Sequence, residues 1–233
     1  MMQLSPRLQA VLDFCRSLHT PDCGVLADIG TDHAYLSIAA VQHKVASDAI
    51  ACDLYSGPLS IAAQNIRDAG LQHKIETRLG DGLMPLLPGE ADCIVIAGMG
   101  GMRILGILFV GLDQAEAARR LILQPQRDAM TLRKFLHSNG FEIEGERLVR
   151  EVVGVREHFY VVLAARYAEE VDTWSEREYF LGKFLIEEGG DDFLAYMASE
   201  QKKLATYISS IRDEAVLADA KNRLEWLSNS DSI

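Results

Sequence analysis

The sequence predicts an α/β protein with a seven-stranded, mostly parallel β-sheet that ends in an antiparallel hairpin and is followed by a helical extension. Five short strand-like runs, most of them apolar, alternate with segments that carry helix-start and helix-stop signals, which is the order of a parallel sheet with crossover helices. Two further strand-like runs follow with no room for a helix between them, so we expect them to pair as a hairpin. From about residue 169 the apolar residues recur at helical spacing.

The first element is a predicted helix over residues 5–18. Ser5 is a suitable N-cap and Pro6 suits the first helical position, while Pro21 would end the segment. Arg7 and Arg16 on this helix lie either on the solvated surface or at the mouth of a substrate site. One apolar face is formed by Leu4, Leu8, Val11, Leu12 and Cys15.

The strands follow as short apolar runs. The first, Val25-Leu26-Ala27, leads through Asp28 to Gly30 and then to a helix over residues 34–41. The fourth, over residues 92–97, is apolar throughout, as is typical of a strand buried on both faces. The other predicted strands are 49–53, 75–79, 121–123, about 142–152 and 158–165, and the other predicted helices are 56–69, one through Leu105 and Leu108, and 127–139.

Each predicted parallel strand ends near a polar residue or a glycine. In open α/β sheets ligands bind at the carboxyl ends of the strands, so these positions should converge on one crevice. The acid after the second strand lies 20 residues beyond His33, a spacing at which such an acid binds a ribose. The acid after the third strand stands between two glycines, which either admit a planar base or form an ordinary tight turn. The strand-end residues are Asp28, Asp53, Asp81, Gly98 and Gln124.

The turn after the first strand indicates which ligand the crevice holds. A dinucleotide fingerprint needs three glycines, and only Gly30 is present. The segment instead looks like the Asp-x-Gly-x-Gly motif of S-adenosylmethionine (SAM) methyltransferases, with Asp32 at the position of the second glycine. The alternative is an α/β protein that binds nothing there. With the terminal hairpin, the motif favours a Rossmann-like SAM methyltransferase fold.

The charge is distributed unevenly along the chain, which indicates two domains and limits where RNA could bind. The net charge is −11, and residues 169–233 hold 15 acidic and 7 basic residues, a net of −8 that leaves −3 for residues 1–168. We therefore predict a methyltransferase domain over 1–168 and a helical hairpin or coiled coil over 169–233. An RNA site would need a local basic patch. The candidates for this patch are Arg127, Arg133, Lys134, Arg147, Arg150 and Arg156.

Other classes of protein are disfavoured. The four cysteines contain no Cys-x-x-Cys pair, which argues against a structural zinc site and suits a reducing cytoplasm. No apolar run approaches the roughly 20 residues that span a bilayer, and the N-terminus lacks the pattern of a signal peptide. We expect a cytoplasmic protein with no metal and no membrane association, either a monomer or a weak dimer.

The residues after the fourth strand limit the methyl-transfer chemistry. Methylation of an exocyclic adenine amine usually uses an Asn/Asp-Pro-Pro-aromatic motif, whereas this chain has residues 97–101, Ala-Gly-Met-Gly-Gly. Methylation of a pyrimidine carbon needs a cysteine nucleophile, and Cys93 lies inside a buried strand. A ring nitrogen such as adenine N1 is already a nucleophile and needs mainly alignment. Asp32 would either stabilise the positive charge that develops on the base or hold the amino group of the cofactor through water.

These motifs together resemble the bacterial TrmK family of tRNA adenine-N1 methyltransferases, which act on adenosine 22. The resemblance covers most of residues 4–165, and the helical C-terminus of the family also fits residues 170–227. Ser37 replaces a proline of the family pattern, Gln126 replaces an asparagine, and His158-Phe159-Tyr160 replaces a Tyr-Glu-Ile-like strand. The matching segments are 4–8, 27–36, 57–59 with Asn65, 78–83, 96–101 and 121–125.

The resemblance implies a SAM-dependent enzyme that acts on tRNA. Asp32, Gly98 and Met99 would act at the target base. A non-catalytic SAM- or RNA-binding regulator, or a methyltransferase with another substrate, remains the alternative. The implied cofactor contacts are Asp28, Gly30, Thr31, Asp32, His33, Asp53, Leu54, Gly80, Asp81, Gly82, Ala97 and Gly98, and the implied substrate contacts are Gln124, Pro125, Arg127 and Arg133.

Overall fold

Seven strands and ten helices occupy the residues that the computed structural model describes, which are 4–16 and 23–228. The strands are β1 Val25–Ile29, β2 Asp48–Asp53, β3 Ile75–Leu79, β4 Cys93–Met99, β5 Arg120–Pro125, β6 Phe141–Val153 and β7 Arg156–Tyr167. The helices are α1 Pro6–Cys15, α2 Tyr35–Gln42, α3 Ser56–Asp68, α4 Gly101–Val110, α5 Leu112–Ala117, α6 Ala129–Ser138, α7 Glu176–Leu181, α8 Lys183–Glu188, α9 Gly190–Ile208 and α10 Glu214–Ser228.

The strands form one sheet in the order β3-β2-β1-β4-β5-β7-β6, in which β7 runs antiparallel to its neighbours and all other adjacent pairs are parallel. This confirms the predicted fold. The chain reverses its direction across the sheet between β3 and β4, so β1 and β4 are neighbours, and Leu26 lies between Ala49 and Cys93. Ligands of open α/β sheets bind at the carboxyl edge beside such a switch point.

Helix α1 begins as predicted and ends earlier than predicted. The Ser5 hydroxyl accepts a hydrogen bond from the amide of Leu8 at 3.3 Å, and Pro6 takes the first helical position. The helix ends at Cys15, whereas the prediction extended to residue 18. Residues 17 and 18 and the expected stop at Pro21 lie outside the described residues.

The β6–β7 hairpin is longer than predicted and extends past the carboxyl edge of the sheet. Its strands pair from Phe141 with Tyr167 to Val153 with Arg156, whereas β5 pairs only with residues 163–165 of β7. We call residues 149–160 the hairpin arm, because they continue beyond the level of the last β5 residue. With about 3.4 Å per residue in an antiparallel strand, the arm extends roughly 14 Å past that level.

The segment after residue 168 is helical, as predicted, but its first stripe forms two helices. Gly182, with φ of 98°, separates α7 from α8. Helices α9 and α10 pack on each other, and the amide nitrogen of Gln201 donates to the hydroxyl of Ser228 at 3.0 Å. Buried residues of this segment share one hydrophobic core with the sheet. The division at residue 168 therefore remains a prediction.

A fully buried ion pair connects this segment to the sheet. Arg133 of α6 donates to the carboxylate of Glu146 on β6 at 2.7 Å, and both side chains have no solvent exposure. Nη1 of Arg133 also donates to the carbonyl oxygens of Tyr179 at 2.9 Å and Phe180 at 3.1 Å. The prediction that Arg133 contacts RNA is wrong, because its guanidinium group is enclosed by these acceptors.

Candidate active site

Asp28 holds the turn after β1. Its carboxylate is buried and accepts hydrogen bonds from the hydroxyls of Thr31 at 2.7 Å and Ser37 at 2.9 Å. Burial raises the pKa of Asp28, and these two donors oppose that rise. The amides of Gly30 and Thr31 both donate to the carbonyl of Cys52 at 2.9 Å, which ties the turn to β2. Ser37, a departure from the family pattern, thus supplies one of the donors to Asp28.

Asp53 lies at the end of β2 and faces the same turn. Asp32 adopts a left-handed conformation with φ of 53°, and its amide donates to one carboxylate oxygen of Asp53 at 3.1 Å. The amide of Tyr55 donates to the other oxygen at 3.0 Å. A carboxylate oxygen can accept two hydrogen bonds, so both oxygens can still accept a hydroxyl. The two hydroxyls of a ribose match this arrangement.

A cleft opens where β1, β2 and the loop after β3 meet α4. Seven of the residues that the sequence assigned to cofactor or catalysis line it, and the structure adds six that sequence reasoning missed. The predicted lining residues are Gly30, Asp53, Leu54, Gly80, Asp81, Gly82 and Met99, and the additional ones are Ile29, Cys52, Tyr55, Pro58, Arg103 and Ile107. Their positions could be predicted in part, because Tyr55 lies two residues after the acid of β2 and Arg103 lies in the first turn of α4.

Two glycines give the cleft its narrow walls. Gly30 has φ of 73°, and a Cβ atom there would collide with the methyl group of Met99. Gly82 has φ of 53°, and a Cβ atom there would lie 2.9 Å from Cγ2 of Ile107. The cleft combines close backbone, an apolar wall at Leu54 and two carboxylates, Asp53 and Asp81. These groups fit the ribose hydroxyls and the flat, amine-bearing ring of S-adenosylmethionine.

Gln124 is buried beneath the other side of the site. Its amide oxygen accepts from Nη1 of Arg7 at 2.7 Å and from the amide of Gly98 at 3.0 Å, and its nitrogen donates to the carbonyl of Pro125 at 2.9 Å. With no exposed surface, Gln124 cannot touch the substrate, so that prediction is wrong. The residue instead positions Gly98. Arg7 therefore lies at the site rather than on the solvated surface.

Several predicted residues lie at the rim and do not line the cleft. The side chain of Asp32 is 68% exposed, and its carboxylate lies 3.5 Å from Nε2 of His33. The ring of His33 stacks at a tilt against Tyr35, with centroids 5.4 Å apart. The other predicted residues outside the cleft lining are Asp28, Thr31, Ala97 and Gly98.

A second cavity, the basic groove, lies between the end of β5, the hairpin arm and helices α9 and α10. It has a volume of about 420 Å³. Arg127 is the most exposed cation in it, with 81% of its side chain exposed. Among the described residues it forms an ion pair with the neighbouring Asp128, whose carboxylate oxygen lies 3.7 Å from Nε of Arg127. The groove starts beside the cleft, because the amide of Gln126 donates to the carbonyl of Met99 at 2.8 Å. Its lining comprises residues 125–131 with Phe159, Val161, Phe180, Tyr196, Glu200, Lys203 and Arg223.

The predicted basic patch does not form a single surface. Lys134 pairs with Glu176 at 2.7 Å, Arg147 pairs with Asp13 at 3.4 Å, and Arg150 pairs with Glu157 at 2.6 Å and with Asp192 at 3.1 Å. Since Arg133 is buried as well, Arg127 and Arg156 are the members of the patch whose charge stays most open to solvent. The sequence did not show which cations had acidic partners.

Two further findings concern metals and membranes. Within residues 4–16 and 23–228, no group of three or more histidine, cysteine, aspartate or glutamate side chains could hold a metal ion. No helix in the same ranges combines the length and the apolar character that crossing a membrane requires.

The strand order, the glycine turn after β1 and the paired carboxylates at the ends of β2 and β3 define a SAM-dependent methyltransferase of the Rossmann-like class. A family model described as "TrmK: tRNA (adenine(22)-N(1))-methyltransferase" matches residues 26–229. The chain belongs to this family.

Relatives agree with this assignment over nearly the whole chain. The tRNA (adenine(22)-N(1))-methyltransferase of Bacillus subtilis is 34% identical over 228 residues, which cover 98% of this chain and 94% of the relative. The crystal structure of Sp1610 of Streptococcus pneumoniae with S-adenosyl-L-methionine has a TM-score of 0.85 and 30% identity, and covers 97% of this chain and 98% of Sp1610. TrmK of M. capricolum with S-adenosyl-homocysteine has a TM-score of 0.76 and 26% identity, with 97% of each chain covered.

Proposed function

We propose that this protein transfers the methyl group of S-adenosylmethionine to N1 of adenosine 22 in tRNA. One observation carries the proposal: the family match over residues 26–229 includes every strand end that forms the cleft. In the cleft, Asp53 would bind the ribose hydroxyls, and Asp81 with Gly80 and Gly82 would bind the adenine ring. Asp28, Thr31 and Gln124 would act indirectly, by holding the turns on which the contacting groups stand.

For this reaction the protein has mainly to align the target nitrogen with the methyl group and the sulfur of the cofactor. When bound, S-adenosylmethionine supplies an electrophilic methyl group on a sulfonium. The target nitrogen has a free lone pair, so no side chain has to remove a proton before attack. Alignment of this kind can lower the activation free energy by roughly 7–11 kcal/mol. Gly98 and Met99 would border the base, and Asp32 at the rim would either stabilise the cationic methylated base or hold the amino end of the cofactor.

The proposal is tested by incubating the protein with labelled S-adenosylmethionine and tRNA and then analysing the nucleosides. We expect 1-methyladenosine at a single position, and none in a tRNA with guanosine at position 22. Cofactor binding without a methylated product would favour a non-catalytic regulator. Another methylated nucleoside would favour a methyltransferase with a different substrate.

We further propose that the basic groove binds the tRNA backbone beside the target. The end of β5 contributes Arg127 to it. The C-terminal helices contribute Lys203, which pairs with Glu200 at 2.7 Å, and Arg223, which pairs with Asp219 at 2.6 Å, so phosphates would compete with these exposed partners. The double variant Arg127→Glu with Lys203→Glu should weaken tRNA binding and lower the slope of log affinity against log salt by roughly one for each lost phosphate contact. Binding titrations at several salt concentrations measure this, and cofactor affinity should stay unchanged.

Lys202→Glu combined with Lys221→Glu is the matched control for the groove, because it also reverses two positive charges. Both lysines are exposed, on α9 and α10, and neither lines the groove. We expect it to retain nearly the wild-type salt slope. Equal losses in the control and in the double variant would attribute the effect to overall charge and contradict a role for the groove.

The location and the assembly of the protein follow from the same proposal. A tRNA substrate and four free, buried cysteines support a cytoplasmic location. We propose a monomer or a weak dimer, and sedimentation at several protein concentrations distinguishes the two.

A further inference from the structure

Three exposed valines lie at the tip (residues 152–155) of the hairpin arm. Val152 is 61% exposed, Val153 is 64% exposed and Val155 is fully exposed at 100%. Gly154 makes the turn between them with φ of 63°. β-Branched side chains have few rotamers, so this cluster is both apolar and stiff. Val152 and Val153 are consecutive in β6, so their side chains lie on opposite faces of the hairpin tip, and neither belongs to the buried core of the described residues.

A braced arm connects the base of the tip to the reaction site. Glu151, one residue before the first valine, accepts a hydrogen bond from the backbone amide of Arg7 at 3.0 Å. The side chain of Arg7 donates to Gln124 at 2.7 Å, and Gln124 holds the amide of Gly98. Arg150 braces the arm between Glu157 at 2.6 Å and Asp192 at 3.1 Å. Three consecutive hydrogen bonds therefore connect the base of the tip to Gly98 at the border of the target base.

The tRNA substrate of the proposed function requires a means of exposing the target base. N1 of adenine lies on the pairing edge of the base, so the base must leave its pair or stack before N1 reaches a protein site. Proteins that open base stacks commonly insert apolar side chains between base steps. Arg156 directly follows the valines, is exposed, and has no ion-pair partner within the described part of the chain, so it is available to a phosphate.

We propose that Val152, Val153 and Val155 form a wedge that enters the tRNA stack beside the target adenosine and displaces this base towards the cleft. The inference rests on the proposed function and adds how the base becomes accessible. It assigns the hairpin arm to opening the RNA, whereas the basic groove holds the backbone.

The test uses the full chain with Val152→Ser, Val153→Ser and Val155→Ser combined, and Val155→Ser alone as a milder variant. The probe is a tRNA with 2-aminopurine at position 22, whose fluorescence rises when the base leaves the stack. We expect the rise on binding wild-type protein to be largely lost in the triple variant. On unmodified tRNA we expect kcat/KM to fall about tenfold or more, since an opening step would be lost. Cofactor affinity should be unchanged.

Val110→Ser is the matched control. This valine is 68% exposed at the last residue of α4, which runs from the carboxyl edge of the sheet towards the opposite edge. It should retain wild-type fluorescence and kcat/KM. Wild-type fluorescence in the triple variant would overturn the wedge, as would a change in its sedimentation, which would assign the valines to contact between copies. A wild-type protein that forms no 1-methyladenosine would instead overturn the proposed function.

Discussion

Asp53→Ala is expected to weaken S-adenosylmethionine binding roughly 100-fold or more. The carboxylate offers one free acceptor position on each oxygen after binding the amides of Asp32 and Tyr55. A hydrogen bond to a charged group contributes about 1.5–3 kcal/mol, and each 1.4 kcal/mol corresponds to about tenfold in affinity. The loss of two such bonds to the ribose should therefore dominate the result, which calorimetry with the purified protein measures directly.

Asp48→Ala is the control for Asp53→Ala. Asp48 is the first residue of the same strand, lies at the opposite edge of the sheet and forms a partly exposed pair with Lys74 at 3.8 Å. We expect it to bind the cofactor like the wild type. Thermal unfolding of both variants separates lost contacts from lost folding, because Asp53 also holds two backbone amides. Wild-type affinity in a folded Asp53→Ala protein would contradict the assignment of this residue to the ribose.

Arg133→Met is expected to lower the free energy of unfolding by about 3–5 kcal/mol, because it leaves a buried carboxylate without its partner. It also removes the donor to the carbonyls of Tyr179 and Phe180, and so loosens the attachment of α7. Urea unfolding at neutral pH measures the loss. Combining Arg133→Met with Glu146→Leu removes both charges, and we expect it to recover much of the stability that the single variant loses.

The matched control is Arg147→Met, which breaks the exposed pair with Asp13. Such pairs contribute about 1 kcal/mol or less, so this variant should unfold nearly like the wild type. Equal losses in the free energy of unfolding for Arg133→Met and Arg147→Met would show that the buried pair stabilises the fold no more than the exposed pair does. An Arg133→Met protein as stable as the wild type would contradict the burial of the Arg133–Glu146 pair.

The loss in Arg133→Met should depend on pH. Burial already raises the pKa of Glu146, and the charge of Arg133 opposes that rise. Without Arg133 the pKa should rise further, so the folded variant favours the protonated carboxyl. The contribution of Glu146 to the stability of the variant is then most favourable below 4.5, the ordinary pKa of a glutamate, and is lost as the pH increases through the raised value. Unfolding at about pH 5 and about pH 8 should show the larger deficit at pH 8.

The sequence could predict the cleft because its chemistry is local. Gly30 and Asp53 lie at the ends of apolar strands, Asp81 and Gly82 lie in the turn after β3, and parallel strands bring their carboxyl ends to one edge. The antiparallel pairing of β6 with β7 followed from the absence of a helix between them. No long-range contact had to be known for either prediction.

The failures concern residues whose surroundings come from distant parts of the chain. Gln124 is enclosed by Arg7, 117 positions away, and Arg133 is enclosed by carbonyls 46 and 47 positions away. Helical spacing showed that α6 has two faces, but it could not show that an arginine occupies the buried one. The contact of Asp28 with the cofactor stays a prediction, whereas its role in holding the turn through the hydroxyls of Thr31 and Ser37 was not predicted.

The bond from Arg7 to Gln124 bears on how fusion proteins should be built. A purification tag attached before Met1 would join the chain only six positions ahead of Arg7, a span of about 20 Å when fully extended. Bulky additions there would crowd the entrance through which a large nucleic acid must pass. A tag after Ile233 would in turn join ten positions beyond Arg223 of the basic groove, so either tag is best removed before tRNA is added.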